Sequence, residues 1–217
     1  MKKQKKTSLY VGIGLLAAFV IWTVLVRLID VQSIGPEGSE VGFAALNKLV
    51  HELTGVHLSL YLLIDWLSIL PFVLILGFAV LGLTQWIKRK SLLKVDRDIL
   101  ALGGFYAVVL AVYLFFEFVV INYRPVLIEG VLEASYPSST TVLILCVMLT
   151  ALMQLYSRIG NKAIKMVICV AILAFTAFMV IGRLISGVHW LTDIIGGALL
   201  SAGLILLYDF FSGSKAE

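Results

Sequence analysis

Hydrophobic positions along this chain run almost without interruption, and the runs have the length of membrane spans. An α-helix needs about 20 apolar residues to cross a hydrocarbon core. Six runs qualify: about 9–29, 59–83, 98–121, 138–157, 163–183 and 187–210. The fourth, opening at Ser138, is the shortest and begins with hydroxyl residues. Pro71 interrupts the second, which a packed membrane helix tolerates when neighbours satisfy the freed carbonyl. Lys2, Lys3, Lys5 and Lys6 precede the first run, as in a signal peptide. That run is too long for an apolar signal core and lacks a small-x-small cleavage site, so it reads as an uncleaved span. The pattern predicts an all-α integral membrane protein with six transmembrane helices in a single domain, 1–217, without repeats or linkers.

Between the first two spans, about 30–58, lies a polar turn, Ile34-Gly35-Pro36-Glu37-Gly38-Ser39. Leu46, Leu49, Val50 and Leu53 then recur at i, i+3, i+4 and i+7, with Gly55 as a stop. This is an amphipathic helix, read either as lying on the outer leaflet or as a gate for a lipid headgroup.

Composition agrees: 61% of residues are hydrophobic and only 14% charged, against roughly 25% charged in a soluble domain. A soluble enzyme, a disordered chain and a disulfide scaffold are excluded. Cys146 and Cys169 lie inside apolar runs and read as small hydrophobes. The net charge of +4 belongs to topology and not to nucleic acid. With the N-terminus inside, the cytoplasmic segments hold Lys2, Lys3, Lys5, Lys6, Lys88, Arg89, Lys90, Lys94, Arg97, Arg158, Lys162, Lys165 and Lys215, thirteen of the seventeen basic residues. Only Arg27, Lys48, Arg124 and Arg183 fall outside. The positive-inside rule therefore places both termini in the cytoplasm. Trp66, Trp86 and Trp190 read as interfacial belt residues, and Asp65 as a hydrogen-bonding partner for a neighbouring helix.

The chemistry gathers on the outer side. Arg124-Pro125 follows the third span, Arg183 ends the fifth, and His189 and Asp193 begin the sixth. Four residues apart, His189 and Asp193 share a helix face, so the carboxylate can hold one ring nitrogen and leave the other free to attack. Tyr136-Pro137-Ser138-Ser139-Thr140-Thr141 opens the fourth helix with outward-facing backbone N–H groups, a ready phosphate site. No metal-ligand cluster is visible.

Three stretches carry a resemblance. They are Glu117-Phe-Val-Val-Ile-Asn-Tyr-Arg124-Pro125, then Pro137-Ser138-Ser139-Thr140, then Gly182-Arg183-Leu-Ile-Ser-Gly-Val-His189-Trp-Leu-Thr-Asp193. In order and spacing the chain resembles the type 2 phosphatidic acid phosphatase superfamily, which includes bacterial undecaprenyl-pyrophosphate and phosphatidylglycerophosphate phosphatases. Vanadium haloperoxidases share the phosphate-site motifs but fit this six-span chain poorly. The resemblance implies a membrane lipid phosphatase with His189 as the phosphorylated nucleophile and Asp193 orienting it. Arg124 and Arg183 would clamp phosphate oxygens, with Ser138, Ser139 and Thr140 completing the cradle. It implies no metal and no cofactor; the partners are a lipid phosphate and the bilayer.

Four positions depart from the family pattern. Glu117 stands for a phosphate-binding Lys, Ser139 for a Gly, Thr140 for a general-acid His and Gly182 for a Ser. A carboxylate about 6 Å from a phosphate repels it by roughly 3 kcal/mol per charge pair at an effective dielectric of about 20. Glu117 must therefore be protonated, turned away, or paired with Arg124 (i, i+7) or Arg183, and pairing is expected. Loss of the acid favours a leaving group that needs no proton, so undecaprenyl diphosphate is the expected substrate, with His57 or His51 as substitute acids. The alternative is a catalytically inactive relative that binds or transports lipid phosphates.

Overall fold

The computed structural model describes residues 2–212, with side chains from residue 5 onward; Lys215, assigned above to the cytoplasmic side, lies outside the described residues. The described chain is nearly all helical: α1 (Lys2–Leu28), α2 (Ala44–Thr54), α3 (Leu58–Leu67), α4 (Ile69–Arg89), α5 (Arg97–Phe118), α6 (Ser139–Arg158), α7 (Lys162–Ile185) and α8 (Leu191–Ser212). Six spans are long and apolar enough to cross a membrane, the second made by α3 and α4 together. In hydrocarbon every backbone N–H must be satisfied within its own segment, so apolar runs of this length become helices.

The first helix starts earlier than expected, at Lys2, and the second span runs on to Arg89; three further differences bear on the site. The second span breaks at Ser68, not at Pro71, which sits in the first turn of α4 where a missing N–H costs nothing. The third span ends at Phe118, three residues early, where the chain bends at Val119. The sixth helix begins at Leu191, so His189 lies in the turn before it.

Helices α6 and α8 form the centre. One core cluster joins Phe19 and Val26 of α1, Phe105 and Val109 of α5, Cys146 of α6 and Leu204 and Tyr208 of α8. A second joins Ile64 of α3, Ile144 and Met148 of α6 and Ile172 and Met179 of α7. Lipid tails are as apolar as these side chains, so close packing must supply the association. Helix α1 approaches α8 at Gly12 and Gly203, where a Cβ on Gly203 would lie 2.7 Å from Leu16 Cδ2.

The expected amphipathic helix is α2, ended at Gly55 with φ of 69°. Leu46, Leu49 and Leu53 are exposed, an apolar row suited to an interface. What fixes it was not read from the sequence. The fully buried Asn47 donates from Nδ2 to the Gly42 carbonyl (2.8 Å) and to Thr192 Oγ1 (3.0 Å). Its Oδ1 accepts from the Thr192 backbone N–H (3.2 Å), an otherwise orphaned donor in the first turn of α8. Replacing Asn47 with alanine strands these groups. The expected cost is about 2–3 kcal/mol, read as a lower thermal midpoint in detergent.

Candidate active site

The site lies at the bundle end where α3 and α8 begin and α5 and α7 end. Between α5 and α6 the chain forms a short antiparallel ribbon, with bridges Tyr123 to Ala134 and Ile128 to Val131. Arg124 N–H donates to the Glu133 carbonyl (3.0 Å) and Ser135 N–H to the Asn122 carbonyl (2.9 Å). Trp190 Nε1 donates to the Tyr123 carbonyl (2.8 Å), tying the ribbon to the turn that carries His189. Trp190 is therefore a buried strut and not the belt residue its sequence context predicts; Trp66 and Trp86 are exposed, as a belt requires.

The sequence-predicted residues converge. His189 Nδ1 lies 3.6 Å from Asp193 Oδ2, beyond hydrogen-bond length, with both side chains buried. Asp193 is held on two sides: Oδ2 accepts from the Trp190 backbone N–H (3.0 Å), Oδ1 from Asn122 Nδ2 (3.2 Å). The bond to Trp190 resembles a capping box, an N3 acid reaching back to the cap residue. Asn122 and Trp190 thus position the carboxylate, and Asn122, hidden in the run between Glu117 and Arg124, gave no motif signal.

The two arginines come together over one ring. Tyr61 of α3 lies under both guanidinium groups, 4.9 Å from Arg183 and 5.9 Å from Arg124. Arg183 is only 2% exposed. Its Nε and Nη1, Arg124 Nη1 and both His189 nitrogens have no hydrogen-bond partner of ordinary geometry. Buried donors are normally satisfied, and so dense a group of orphans has the charge and donor set that suit an oxyanion.

Burial, and then the positive charges of Arg183 and Arg124, hold His189 well below the ordinary 6.5, opposed by the Ser135 carbonyl. The imidazole is neutral at pH 7, as a nucleophile must be. The unfolded chain binds this proton near pH 6.5 and the folded chain does not, so stability is full above pH 6.5 and falls as the pH drops. Relative to His189→Gln, the parent protein is expected to lose up to about 1.4 kcal/mol per pH unit between pH 6 and pH 5, read from thermal midpoints.

The remaining candidates divide. Ser138 caps α6, its Oγ accepting from Thr141 N–H (3.4 Å) and Thr141 Oγ1 (3.0 Å). Ser139 and Thr140 border a cavity of about 650 Å³ between α4, α5 and α6, with Asp65 and Glu117 also on its wall. The expected pairing of Glu117 with an arginine does not form. Arg124 Nε instead meets Glu133 Oε2 at 2.9 Å, while Glu117 is exposed and neighbours Tyr113. The reason is the early end of α5: beyond Phe118 the chain leaves the helix and bends, so positions 117 and 124 share no helix face. Asp65 is likewise exposed, and its charge is felt by Arg183 of the neighbouring α7. Gly182 has a packing reason, since a Cβ there would lie 2.8 Å from Ile64 Cδ1 of α3. His57 Nε2 is 2.8 Å from the Thr54 carbonyl and His51 stacks on Trp190 at 5.4 Å; neither borders the cavity. Among the described residues no cluster of three metal-ligating side chains occurs.

The model of the PAP2 superfamily matches residues 100–212, more than half the chain and all three motif segments. The chain belongs to the PAP2 superfamily. Its fold is similar to that in the crystal structure of the first transmembrane PAP2 type phosphatidylglycerolphosphate phosphatase from Bacillus subtilis. That likeness has a TM-score of 0.65 at 16% identity, over 91% of this chain and 94% of the other. No curated protein matches the chain. A PAP2 fold with six apolar helical spans makes this a multi-pass membrane protein of the lipid phosphatase type.

Proposed function

We propose that the protein hydrolyses a lipid phosphate or diphosphate at the extracytoplasmic face, undecaprenyl diphosphate being the favoured substrate. One observation carries this: Arg124, Arg183 and His189 hold a group of orphaned donors, and Ser135, whose carbonyl faces His189, also lines an apolar cavity. A charged headgroup fits the first and a hydrocarbon tail the second. The basic-residue distribution supports placing this end outside and both termini in the cytoplasm.

In this reaction His189 Nε2 attacks the terminal phosphorus and the bridging P–O bond breaks. Its electron pair leaves with the oxygen of the lipid. Arg124 and Arg183 neutralise the charge on the transferred phosphoryl group. Asp193 holds Nδ1 protonated and stabilises the imidazolium, its 3.6 Å separation closing as charge develops. Water then attacks phosphorus and the P–N bond breaks, releasing phosphate and restoring His189.

Thr140 cannot protonate a departing alkoxide, a step for which a positioned acid is worth about 10²–10⁴-fold. A lipid diphosphate expels a phosphate instead, whose second pKa is about 6, so no acid is needed. Phosphate release from undecaprenyl diphosphate, phosphatidic acid and phosphatidylglycerophosphate is expected to be fastest for the first. Thr140→His with Glu117→Lys is expected to raise phosphatidic acid turnover selectively, by about 10²-fold. Equal or better turnover of phosphatidic acid by the parent protein contradicts the leaving-group argument. Binding of these lipids with no release from any of them favours the alternative, a non-hydrolytic carrier or binder, for which Glu117 and Thr140 are the specific observation.

A further inference from the structure

A second cavity, of about 520 Å³, lies between α4 and α5 toward the opposite membrane face. It adjoins the first: Ile75 of α4 and Tyr106 of α5 line both. The two form one groove beginning at Ser139 and Thr140 and ending near Ile99. From Glu117 to Ile99 along α5 the rise is about 27 Å, nearly the whole hydrocarbon thickness.

Its shape follows from how α4 and α5 meet. At the far end they are pinned. Gly82 lets α4 close on α5, where a Cβ would lie 3.1 Å from Ile99 Cγ2. Asp96 accepts from Gln85 Nε2 (2.8 Å) and Arg89 Nη1 (2.7 Å), and Gln85 Oε1 accepts from Asp96 N–H (2.9 Å). Toward the site the helices separate, and α6 forms the floor with Val142, Leu143 and Val147. Midway, Tyr106 is steadied by a hydrogen bond between its hydroxyl and Thr150 Oγ1 (3.2 Å), facing Ile75 across the groove. Below this pair, Gly103 and Gly104 leave open space, since a Cβ at either position would meet no atom within 4 Å.

We infer that this groove seats a single polyprenyl chain of the substrate and that the far cavity, past Ile75 and Tyr106, selects for chain length. The inference rests on the proposed lipid-diphosphate reading. The occupant is identified by Ser139 and Thr140 on the upper wall and by the length of about 27 Å, since a diacyl chain of one leaflet reaches only about half the hydrocarbon thickness. A short chain fills only the upper cavity; a long one also buries its distal units against Gly103, Gly104 and Trp86. That extra burial speeds the reaction only if it is retained in the transition state, so it is read in kcat/KM.

The test compares farnesyl diphosphate with undecaprenyl diphosphate in detergent, using the parent protein and Gly103→Phe. The phenylalanine has room, so the fold is expected to hold; Gly104→Phe, on the wall of the far cavity alone, is the second variant. For each variant, kcat/KM on undecaprenyl diphosphate is expected to fall about ten-fold or more, with farnesyl diphosphate turnover unchanged. Equal effects on both substrates in both variants overturn the inference. If no diphosphate is hydrolysed, the functional reading fails but the groove remains testable. Undecaprenyl diphosphate is then expected to raise the thermal midpoint of the His189→Ala protein more than farnesyl diphosphate does, with the difference lost in Gly103→Phe. Equal stabilisation by both diphosphates overturns the inference there as well.

Discussion

His189→Ala is expected to reduce lipid phosphate release by about 10³-fold or more, with little effect on lipid binding. The size follows from the role, because residues that act as one nucleophilic unit show losses of this order when any central member is removed. The selectivity follows from geometry. His189 makes no hydrogen bond of ordinary geometry and approaches only the Ser135 carbonyl, so its removal disturbs little. Asp193 keeps its bonds from Trp190 and Asn122, and both arginines keep their places beside Tyr61. The cradle therefore survives without its nucleophile. Rapid quenching with lipid labelled in the terminal phosphate checks the chemistry: the parent protein is expected to trap an acid-labile, base-stable phosphoenzyme, and His189→Ala none. Labelled intermediate in the variant would falsify the assignment of the nucleophile.

Arg183→Met is expected to separate stability from function. Arg183 is almost fully buried, faces a second arginine and leaves Nε and Nη1 unpartnered when no anion is bound. A buried charge of this kind is expensive, and replacement by an apolar side chain of similar length is often neutral or stabilising by about 1–4 kcal/mol. Phosphate release is expected to fall by about 10²–10³-fold, since a donor set aimed at developing charge is lost. The ligand-free variant should melt no lower than the parent protein, while stabilisation by orthovanadate should disappear. A midpoint several degrees lower would show instead that the charges of Asp65 and Glu133 hold Arg183 for structural reasons. Both predictions turn on the same proposal, that an anion completes the cradle.

How far the sequence alone reaches is clearest from residues that behaved differently. Six apolar runs determine six helical spans, because hydrocarbon offers the backbone no other partner. The convergence of Arg124, Arg183, His189 and Asp193 was legible too, since alternating spans bring motifs at those ends to one face. The pairings inside the site were not. Glu133, not Glu117, takes Arg124, because α5 stops at Phe118 and a helical register could not be carried seven residues further. Tyr61, Asn47 and Asn122 meet partners far away in the chain, and nothing local to them signals it. The groove depends on where α4 and α5 touch and where they part, which Gly82 and Asp96 decide together only once both helices stand side by side. Burial in lipid is a property of each segment and is written in its composition. Ion pairs, clamps and cavities are properties of two or three segments at once, so they exist only after the helices have packed.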